Sequence, residues 1–558
     1  MESPTDQTNL NFMRPAAALI LVLVVSVPIM FWNLGGRDLW APDEPRFAQI
    51  AREMVRSGDW IVPRMNGQEV ALLPPMTYWL VAIPSAIAGD VTEFTARLLI
   101  AVMGLVGVFA TFFLGKRMFG CRVGLFSALI LATSFKYLWQ ARWLQADMPL
   151  AAFVTMALLF FYCGFTAERR KGLYYHLFCV CMGLAFLAKG PLGVVLPGLV
   201  IIPFLTWTWS WRRITEMRIP TGILTVLVIV APWYMAVGLL AGKDFLREII
   251  IKHNFGMFFE TWSHKEPFHF YIPHAFWLMT PWALFLFPAL FHPASEEEKN
   301  HRRFLLCWVV IQFLFFTASQ AKQEKYLLPI FPAAAILIGR CWTDYIAGRL
   351  GRRLRTAMKT ITGLMALLFI VAGPALAIGA RVRLSFLFGH SLVLAALLLA
   401  GGIVILAFLW RNRLGWCFVL LVGSCLATHL FCAGWMMPRF NALKSAREFC
   451  NRARRVAGEN DPIGIYGINY RQIGAYCFYL DRPIRIFEDE NEDFVQAKME
   501  EMFKAPTRAF CIVKDDYLPS LQGSPNITVA VLFADEVGHR RVYFTSNQKE
   551  SNEGALKK

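Results

Sequence analysis

At 558 residues, 56% of them hydrophobic and only 17% charged, with a mean hydropathy of +0.46, the chain is too apolar for a soluble enzyme and belongs in a bilayer. The formal net charge of +17 would suit a nucleic-acid partner, but the basic residues sit in short loops between apolar runs: "RRK" 169–171, "WRR" 211–213, and Arg349, Arg352, Arg353, Arg355 and Lys359. That is the positive-inside pattern of a multi-pass membrane protein and excludes nucleic acid.

Thirteen apolar runs, each long enough to cross a hydrocarbon core of ~30 Å as a helix, are expected at 13–33, 95–115, 122–139, 148–166, 174–188, 191–209, 219–241, 273–292, 303–319, 327–345, 357–379, 387–410 and 415–434. The first has no Ala-x-Ala-like cleavage site after it and reads as a retained span. The basic loops put the N-terminus in the cytoplasm, so segments 34–94, 242–272 and 319–329 face outward, as does everything after 435. Nine of the twelve cysteines fall in or beside the spans, and the three in the tail, Cys450, Cys477 and Cys511, suggest no disulfide framework.

Between the first two spans, Phe47, Ile50, Ala51, Met54 and Val55 recur at helical spacing, with Arg46, Gln49, Arg52, Glu53 and Arg56 on the other side. This predicts an amphipathic helix lying in the interface. "MTYWLVAIPSAIAG" 76–89 is apolar but short and contains Pro84, so it reads as interfacial or re-entrant. After residue 435 the composition becomes that of a soluble protein. "SAREFCNRARRVAG" 445–458 predicts a helix ending at Gly458, and "PIGIYGI", "PIRIF", "RAFCIV" and "ITVAVLF" predict strands. The expected architecture is an all-α polytopic domain over 1–435, including a first external loop at 34–94 with interfacial helices, followed by a small α/β extracytoplasmic domain over 436–558.

The polar residues cluster at the outer ends of the spans. Asp43 and Glu44 precede Pro45 at the predicted helix start, where one of them has a capping role. A cap needs neither two acids nor the neighbouring Arg37 and Arg46, so the pair also reads as a base or sugar-hydroxyl acceptor. Arg142 and Asp147 in "QARWLQADMPLA" read equally well as an interfacial ion pair and as a headgroup contact with an orienting acid. Lys189, followed at once by Gly190-Pro191, either snorkels outward or points inward as a phosphate counter-charge. Lys322, Lys325 and Tyr326 suit a headgroup clamp or general attraction to acidic lipid. His253, His264, His269 and His274 have no standard metal-site spacing, and His264 alone is kept as a metal-ligand candidate. No P-loop, Rossmann fingerprint or hydrolase motif is present. An external site without nucleotide therefore needs a substrate that carries its own activation, such as a sugar on a polyprenyl phosphate, whose departing phosphate cations can stabilise.

The ordered series "DLWAPDEPRFAQIAREMVRSGDWIVPRMNG" 38–67, "RWLQADMPLA" 142–151, "LAFLAKGPLGVVLP" 184–197, "APWY" 231–234, "IKHNF" 251–255, "HKEPFHFY" 264–271, "PW" 281–282 and "SQAKQEKYLLPIFPA" 319–333 resembles the bacterial lipid A aminoarabinose transferases. More broadly it resembles the protein O-mannosyltransferase superfamily of polyprenyl-phosphate glycosyltransferases. The resemblance implies a GT-C fold and an inverting displacement in which undecaprenyl phosphate leaves from a sugar. It also implies that the acid at Asp43 is a base toward a hydroxyl acceptor, or positions the sugar when the acceptor is a lipid A phosphate. Where the aminoarabinose transferases carry Glu-Lys before Pro-Pro, this chain has Leu72 and Leu73. A divalent-metal site pairing that Glu with His264 thereby loses a ligand, and no cofactor is assigned.

The expected function is transfer of a sugar, an aminoarabinose-like pentose or a hexose, from undecaprenyl phosphate to lipid A or another envelope glycolipid at the periplasmic face of a bacterial inner membrane. Asp43, Glu44 and Asp147 are the expected catalytic acids, and Arg46, Arg142, Lys189, Lys322, Lys325 and Tyr326 the phosphate ligands. Glycosylation of secreted proteins is the alternative within the class. A lipid or ion transporter is the rival from another class, and the gathering of polar residues at one face, with no inverted repeat, argues against it.

Overall fold

The computed structural model describes residues 14–250, 266–487, 492–524 and 527–548. The chain forms two compact units. One comprises Met1–Leu34, Ala71–Leu80 and Ala96–Met436; the other comprises Gly35–Val70, Val81–Thr95 and Met437–Lys558. Thus 35–70 and 81–95, which the sequence groups with the spans, gather with the tail in one unit.

The first unit is a polytopic bundle of helices. Among the described residues nine helices are long and apolar enough to cross a membrane, or eleven if two bent pairs each count as one span. The expected run at 122–139 is one of these pairs, Cys121–Ala132 and Phe135–Ala141, bent by 70°. At the break, the hydroxyls of Thr133 and Ser134 donate to the carbonyls of Leu129 and Ile130, offering the backbone an alternative to continuing the helix. The second pair, Phe268–Leu278 and Ala283–Leu290, bends by 107° before Trp282, at Pro281, which has no N–H to continue a helix.

Small residues let the helices approach closely. A Cβ on Gly339 would meet Ser127 Oγ at 2.6 Å, and one on Gly124 would meet the Phe112 carbonyl at 2.6 Å. Trp282, Trp308 and Trp342 fill the interior. Two of them find hydrogen-bond acceptors there, Trp282 Nε1 donating to Thr133 Oγ1 at 2.9 Å and Trp308 Nε1 to the Pro329 carbonyl at 2.8 Å. The helix Ile219–Leu240, by contrast, leaves most of its apolar side chains exposed, which suits a lipid-facing surface.

The second unit contains a two-residue hairpin, β1 (Arg64–Met65) with β2 (Gln68–Glu69), and a five-stranded sheet. The sheet strands are β3 (Ile463–Tyr466), β4 (Arg485–Phe487), β5 (Phe510–Lys514), β6 (Ala530–Val537) and β7 (Arg540–Ser546), in the order β4-β3-β5-β7-β6. The β4-β3-β5 part is parallel and the β5-β7-β6 part antiparallel. The four predicted strands are present; β7 was not anticipated from the sequence. The predicted helix at 445–458 runs Arg447–Val456.

The helix Glu44–Ser57 ends at Gly58, whose φ of 75° suits glycine. It differs from the expected interfacial amphipath, because much of its polar side is covered too: Arg46, Gln49 and Arg52 are buried, Glu53 is half-buried and only Arg56, in the last turn, is exposed. Gly474 lies directly against it, where a Cβ would come within 2.7 Å of Arg46 Cα. The Arg52 guanidinium stacks 3.8 Å from the Phe478 ring centre and donates to the Phe478 carbonyl at 2.8 Å. The buried part of the polar stripe is therefore an internal seam of the unit, with Arg46 paired to Asp43 and Arg52 to Asp90.

Candidate functional site

In the first unit the polar cluster centres on Asp147, the first residue of the helix Asp147–Thr166. Its carboxylate meets Lys189 Nζ at 2.5 Å and Lys325 Nζ at 3.7 Å. Lys189 is the last residue of the helix Lys171–Lys189, and Gly190, at φ 68°, turns the chain away after it. The ammonium lies 4.5 Å from the Tyr326 ring centre, so Lys189 points into the protein and does not snorkel outward. The short 3₁₀ helix Glu324–Ile330 supplies Lys325 and Tyr326 together.

Around this core, Lys322 is buried and donates to the Ser319 carbonyl at 2.5 Å and the Glu266 carbonyl at 3.2 Å. The Tyr271 hydroxyl both donates to the Gln323 carbonyl and accepts from its N–H, at 3.1 and 3.2 Å, fixing the turn that presents Lys325. Lys136 pairs with Glu324 at 3.0 Å. A buried acid held between two ammonium groups, each with three donors, leaves a locally cationic centre suited to a phosphate.

The second cluster lies in the second unit, on the loop 37–43 and the helix that follows. Glu44 is fully buried and receives both Arg37 Nη1, at 2.6 Å, and Arg37 Nη2, at 2.9 Å, together with the Trp40 N–H at 3.2 Å. That bidentate fork ties the loop to the helix start and makes Glu44 a structural anchor. Asp43 is the N-cap residue, but its side chain makes no capping hydrogen bond; it pairs with Arg46 at 2.8 Å and keeps 18% side-chain exposure. Of the two adjacent acids, Asp43 is the one left accessible.

Arg142 turns out to be engaged with the backbone. Its guanidinium donates to the carbonyls of Ile29, Met30 and Trp32 at 2.7 to 3.1 Å, at the C-terminal end of the helix Pro15–Phe31, whose last carbonyls have no partner within the helix. His264 lies outside the described residues. Among the described residues no group of three potential metal ligands occurs. Leu72 and Leu73 are half-buried in the segment leading to the helix Met76–Ala88. Lys136, Tyr271 and Glu324 were not singled out from the sequence. The available signal for Lys136 is a cation well inside the apolar run that Arg122 opens, close to the Thr-Ser pair that breaks it.

Comparison with known proteins gives this geometry a context. The profile of the family described as dolichyl-phosphate-mannose-protein mannosyltransferase matches residues 73–235. An undecaprenyl phosphate-alpha-4-amino-4-deoxy-L-arabinose arabinosyl transferase of Pseudomonas savastanoi is 29% identical over 348 residues, covering 60% of this chain and 64% of that protein. An uncharacterised protein of Aquifex aeolicus is 32% identical over 319 residues, covering 57% of this chain and 62% of that one. Over part of its length the chain is homologous to such arabinosyl transferases and mannosyltransferases. It spans less than two thirds of the length of the curated relatives it matches. In structure, ArnT from Cupriavidus metallidurans bound to undecaprenyl phosphate superposes with a TM-score of 0.79 at 22% identity, covering 96% of this chain and 99% of that one. The chain thus has the GT-C-like fold, a polytopic helical membrane protein with a small β-containing C-terminal domain.

Proposed function

We propose that the chain is an inverting glycosyltransferase that moves an aminoarabinose-like pentose or a hexose from undecaprenyl phosphate to lipid A or another envelope glycolipid. In this reading the eleven spans and bent pairs, with the two shorter apolar helices Pro15–Phe31 and Leu192–Trp207, make thirteen crossings of a bacterial inner membrane. The site faces the periplasm, and residues 436–558 form the extracytoplasmic α/β domain.

The observation that carries the reading is the Asp147–Lys189–Lys325 cluster in a homologue of polyprenyl-phosphate sugar transferases. The acceptor oxygen bonds to the sugar's anomeric carbon as the bond from that carbon to the phosphate oxygen breaks, and the electron pair leaves with undecaprenyl phosphate. Lys189 and Lys325 offset the charge that grows on the departing phosphate, with Asp147 keeping both ammonium groups in place. Lys322 and Tyr326 shape the same region, and Arg46 orients Asp43. Where the acceptor is a hydroxyl, Asp43 takes its proton; where it is already a phosphate oxyanion, Asp43 accepts hydrogen bonds from the sugar. Glu44 and Arg142 support this machinery through the backbone contacts described above.

The family profile over residues 73–235 favours a second reading, transfer to secreted proteins. Mass spectrometry of lipid A and of envelope glycoproteins, from cells with the chain, without it and with Asp43→Asn, separates the two. One mass increment on lipid A that is lost without the chain and with the variant supports the first reading; the same loss confined to glycoproteins supports the second. Unchanged spectra in both fractions would overturn both.

A further inference from the structure

The loop that carries Asp43 is held by the C-terminal part of the chain, residue by residue. Three consecutive backbone N–H groups, those of Asp38, Leu39 and Trp40, each donate to a side chain. The Asp38 N–H goes to Asn441 Oδ1 at 3.1 Å, the Leu39 N–H to the Tyr479 hydroxyl at 2.8 Å, and the Trp40 N–H to Glu44 at 3.2 Å. Asn441 Oδ1 also receives Trp40 Nε1 at 2.9 Å. Two donors on one atom identify it as the amide oxygen.

Behind these contacts the Tyr479 hydroxyl donates to Glu93 Oε1 at 3.1 Å, and Arg447 bridges Glu93 and Asp38, the latter at 2.7 Å. A loop of this kind has no ladder of its own to satisfy its amides, so its conformation is set by whatever accepts them. Here two of the acceptors come from about 400 residues further along the chain.

We propose that Asn441, Tyr479 and Arg447 are positioning residues for transfer, fixing the loop 37–43 so that Asp43 is presented in one orientation. This gives the extracytoplasmic domain a role in the reaction, and it rests on the assignment of Asp43 to sugar transfer. None of the three needs to touch substrate. Asn441 and Tyr479 act on the backbone of Asp38 and Leu39, and Arg447 on the Asp38 carboxylate and on the Glu93 that Tyr479 also meets, so the effect falls on the chemical step more than on donor capture.

The test uses the full chain in nanodiscs with undecaprenyl phosphate-linked aminoarabinose and purified lipid A as probes. The variants are Tyr479→Phe, which removes the acceptor for Leu39, Asn441→Leu, which removes it for Asp38, and Asn441→Asp, which keeps an oxygen there. Hydrogen exchange of the peptide 37–43 is read beside kcat and KM. Tyr479→Phe and Asn441→Leu are expected to release the protected loop amides while β3, β5 and β7 stay protected. Each is expected to lower kcat by roughly 10- to 100-fold with donor KM little changed. Asn441→Asp is expected to restore both protection and rate.

Loop amides that stay protected in Tyr479→Phe and Asn441→Leu would overturn the proposal, as would released amides with wild-type kcat. A wild-type chain that transfers nothing to lipid A or protein from this or a hexose-linked donor refutes sugar transfer. That failure is distinct, since the exchange pattern still decides whether these residues hold the loop.

Discussion

Lys189 closes one helix, Asp147 opens another, and their side chains meet at 2.5 Å. Each fixes the other: the buried carboxylate keeps the ammonium from turning toward lipid headgroups, and the ammonium holds the carboxylate in place beside Lys325. Lys189→Met should therefore remove one counter-charge to the leaving phosphate and lower kcat by roughly 100- to 1,000-fold, the scale for losing one preorganised donor. Lys189→Arg should retain part of the rate. The pair is also expected to be non-additive in stability. Asp147→Asn with Lys189→Met together should melt closer to wild type than Lys189→Met alone, because the single change leaves a buried charge with one partner fewer. Thermal unfolding in detergent, followed by circular dichroism, reads this directly.

Arg142 has the opposite profile. Its three carbonyl contacts cap the end of the helix Pro15–Phe31, so Arg142→Ala should cost about 1–2 kcal/mol of stability, the upper range for a cation at a helix C-terminus. Donor KM should move little. A large rise in KM with unchanged melting would instead make Arg142 a phosphate ligand.

The hydropathy pattern made the helices legible, because a bilayer demands long apolar runs and the chain supplies them one after another. The helical break at Thr133-Ser134 was less visible, since both hydroxyls satisfy themselves on the preceding turn. Asp147, Lys189, Lys325 and Tyr326 could be picked out as polar residues at the ends of apolar runs, where a charge needs a reason. Their mutual pairing could not, because it joins positions more than forty and more than one hundred residues apart. Glu44 illustrates the limit more sharply. Beside Asp43 in sequence the two acids look alike, and only the Arg37 fork shows that one is enclosed and the other accessible. The contacts of Asn441 and Tyr479 with the loop 38–40 have no local signature, since an ordinary Asn and Tyr in a soluble-looking tail carry no mark of a partner 400 residues away. The strand β7 is poorly marked in the sequence because its two leading arginines mask an otherwise good β sequence.

Glu44→Gln should test the anchoring role. It leaves the Arg37 guanidinium buried without its counter-charge, a change worth about 3–5 kcal/mol when a buried pair is broken from one side. Replacing both, Arg37→Met with Glu44→Gln, should recover part of that loss. Hydrogen exchange of the peptides 37–43 and 44–57 in the full chain reports it, and equal protection in all three proteins would remove Glu44 from the framework.

Asp481 sets a pH dependence for the second unit. Burial would raise its pKa, but the hydrogen bond from Arg56 at 2.6 Å and the charges of Arg52 and Arg56 outweigh it and hold the carboxyl below its ordinary value. A carboxyl whose pKa is depressed on folding stabilises the fold fully above its unfolded pKa of about 3.9. That contribution falls away as the pH drops through the lower, folded value. Since the side chain is 35% exposed, the effect is modest. Protection of the helix Tyr470–Leu480, corrected for the intrinsic exchange rate, should weaken on going from pH 5 to pH 3. In Asp481→Asn the part of this change due to the ion pairs should vanish, and an identical pH response in both proteins would show that they contribute nothing.

Lys322 and Lys325 are three residues apart and should separate cleanly on mutation. Lys325 faces Asp147 at 3.7 Å, whereas the Lys322 ammonium is occupied by the carbonyls of Ser319 and Glu266. Lys325→Ala should therefore lower kcat by roughly 100-fold, as expected for loss of one charge aimed at the transition state, with a smaller drop in melting than Lys189→Met, since its contact with Asp147 is the longer one. Lys322→Ala should loosen the turn at 319–323 first, visible as faster exchange of those amides, and reduce the rate only through Lys325 and Tyr326. The double variant should then be no slower than Lys325→Ala by more than a few fold, because the second change disturbs a support whose main charge has already gone. Full activity after both substitutions would show that neither lysine serves the departing phosphate, and would leave Lys189 to neutralise it with Asp147 alongside.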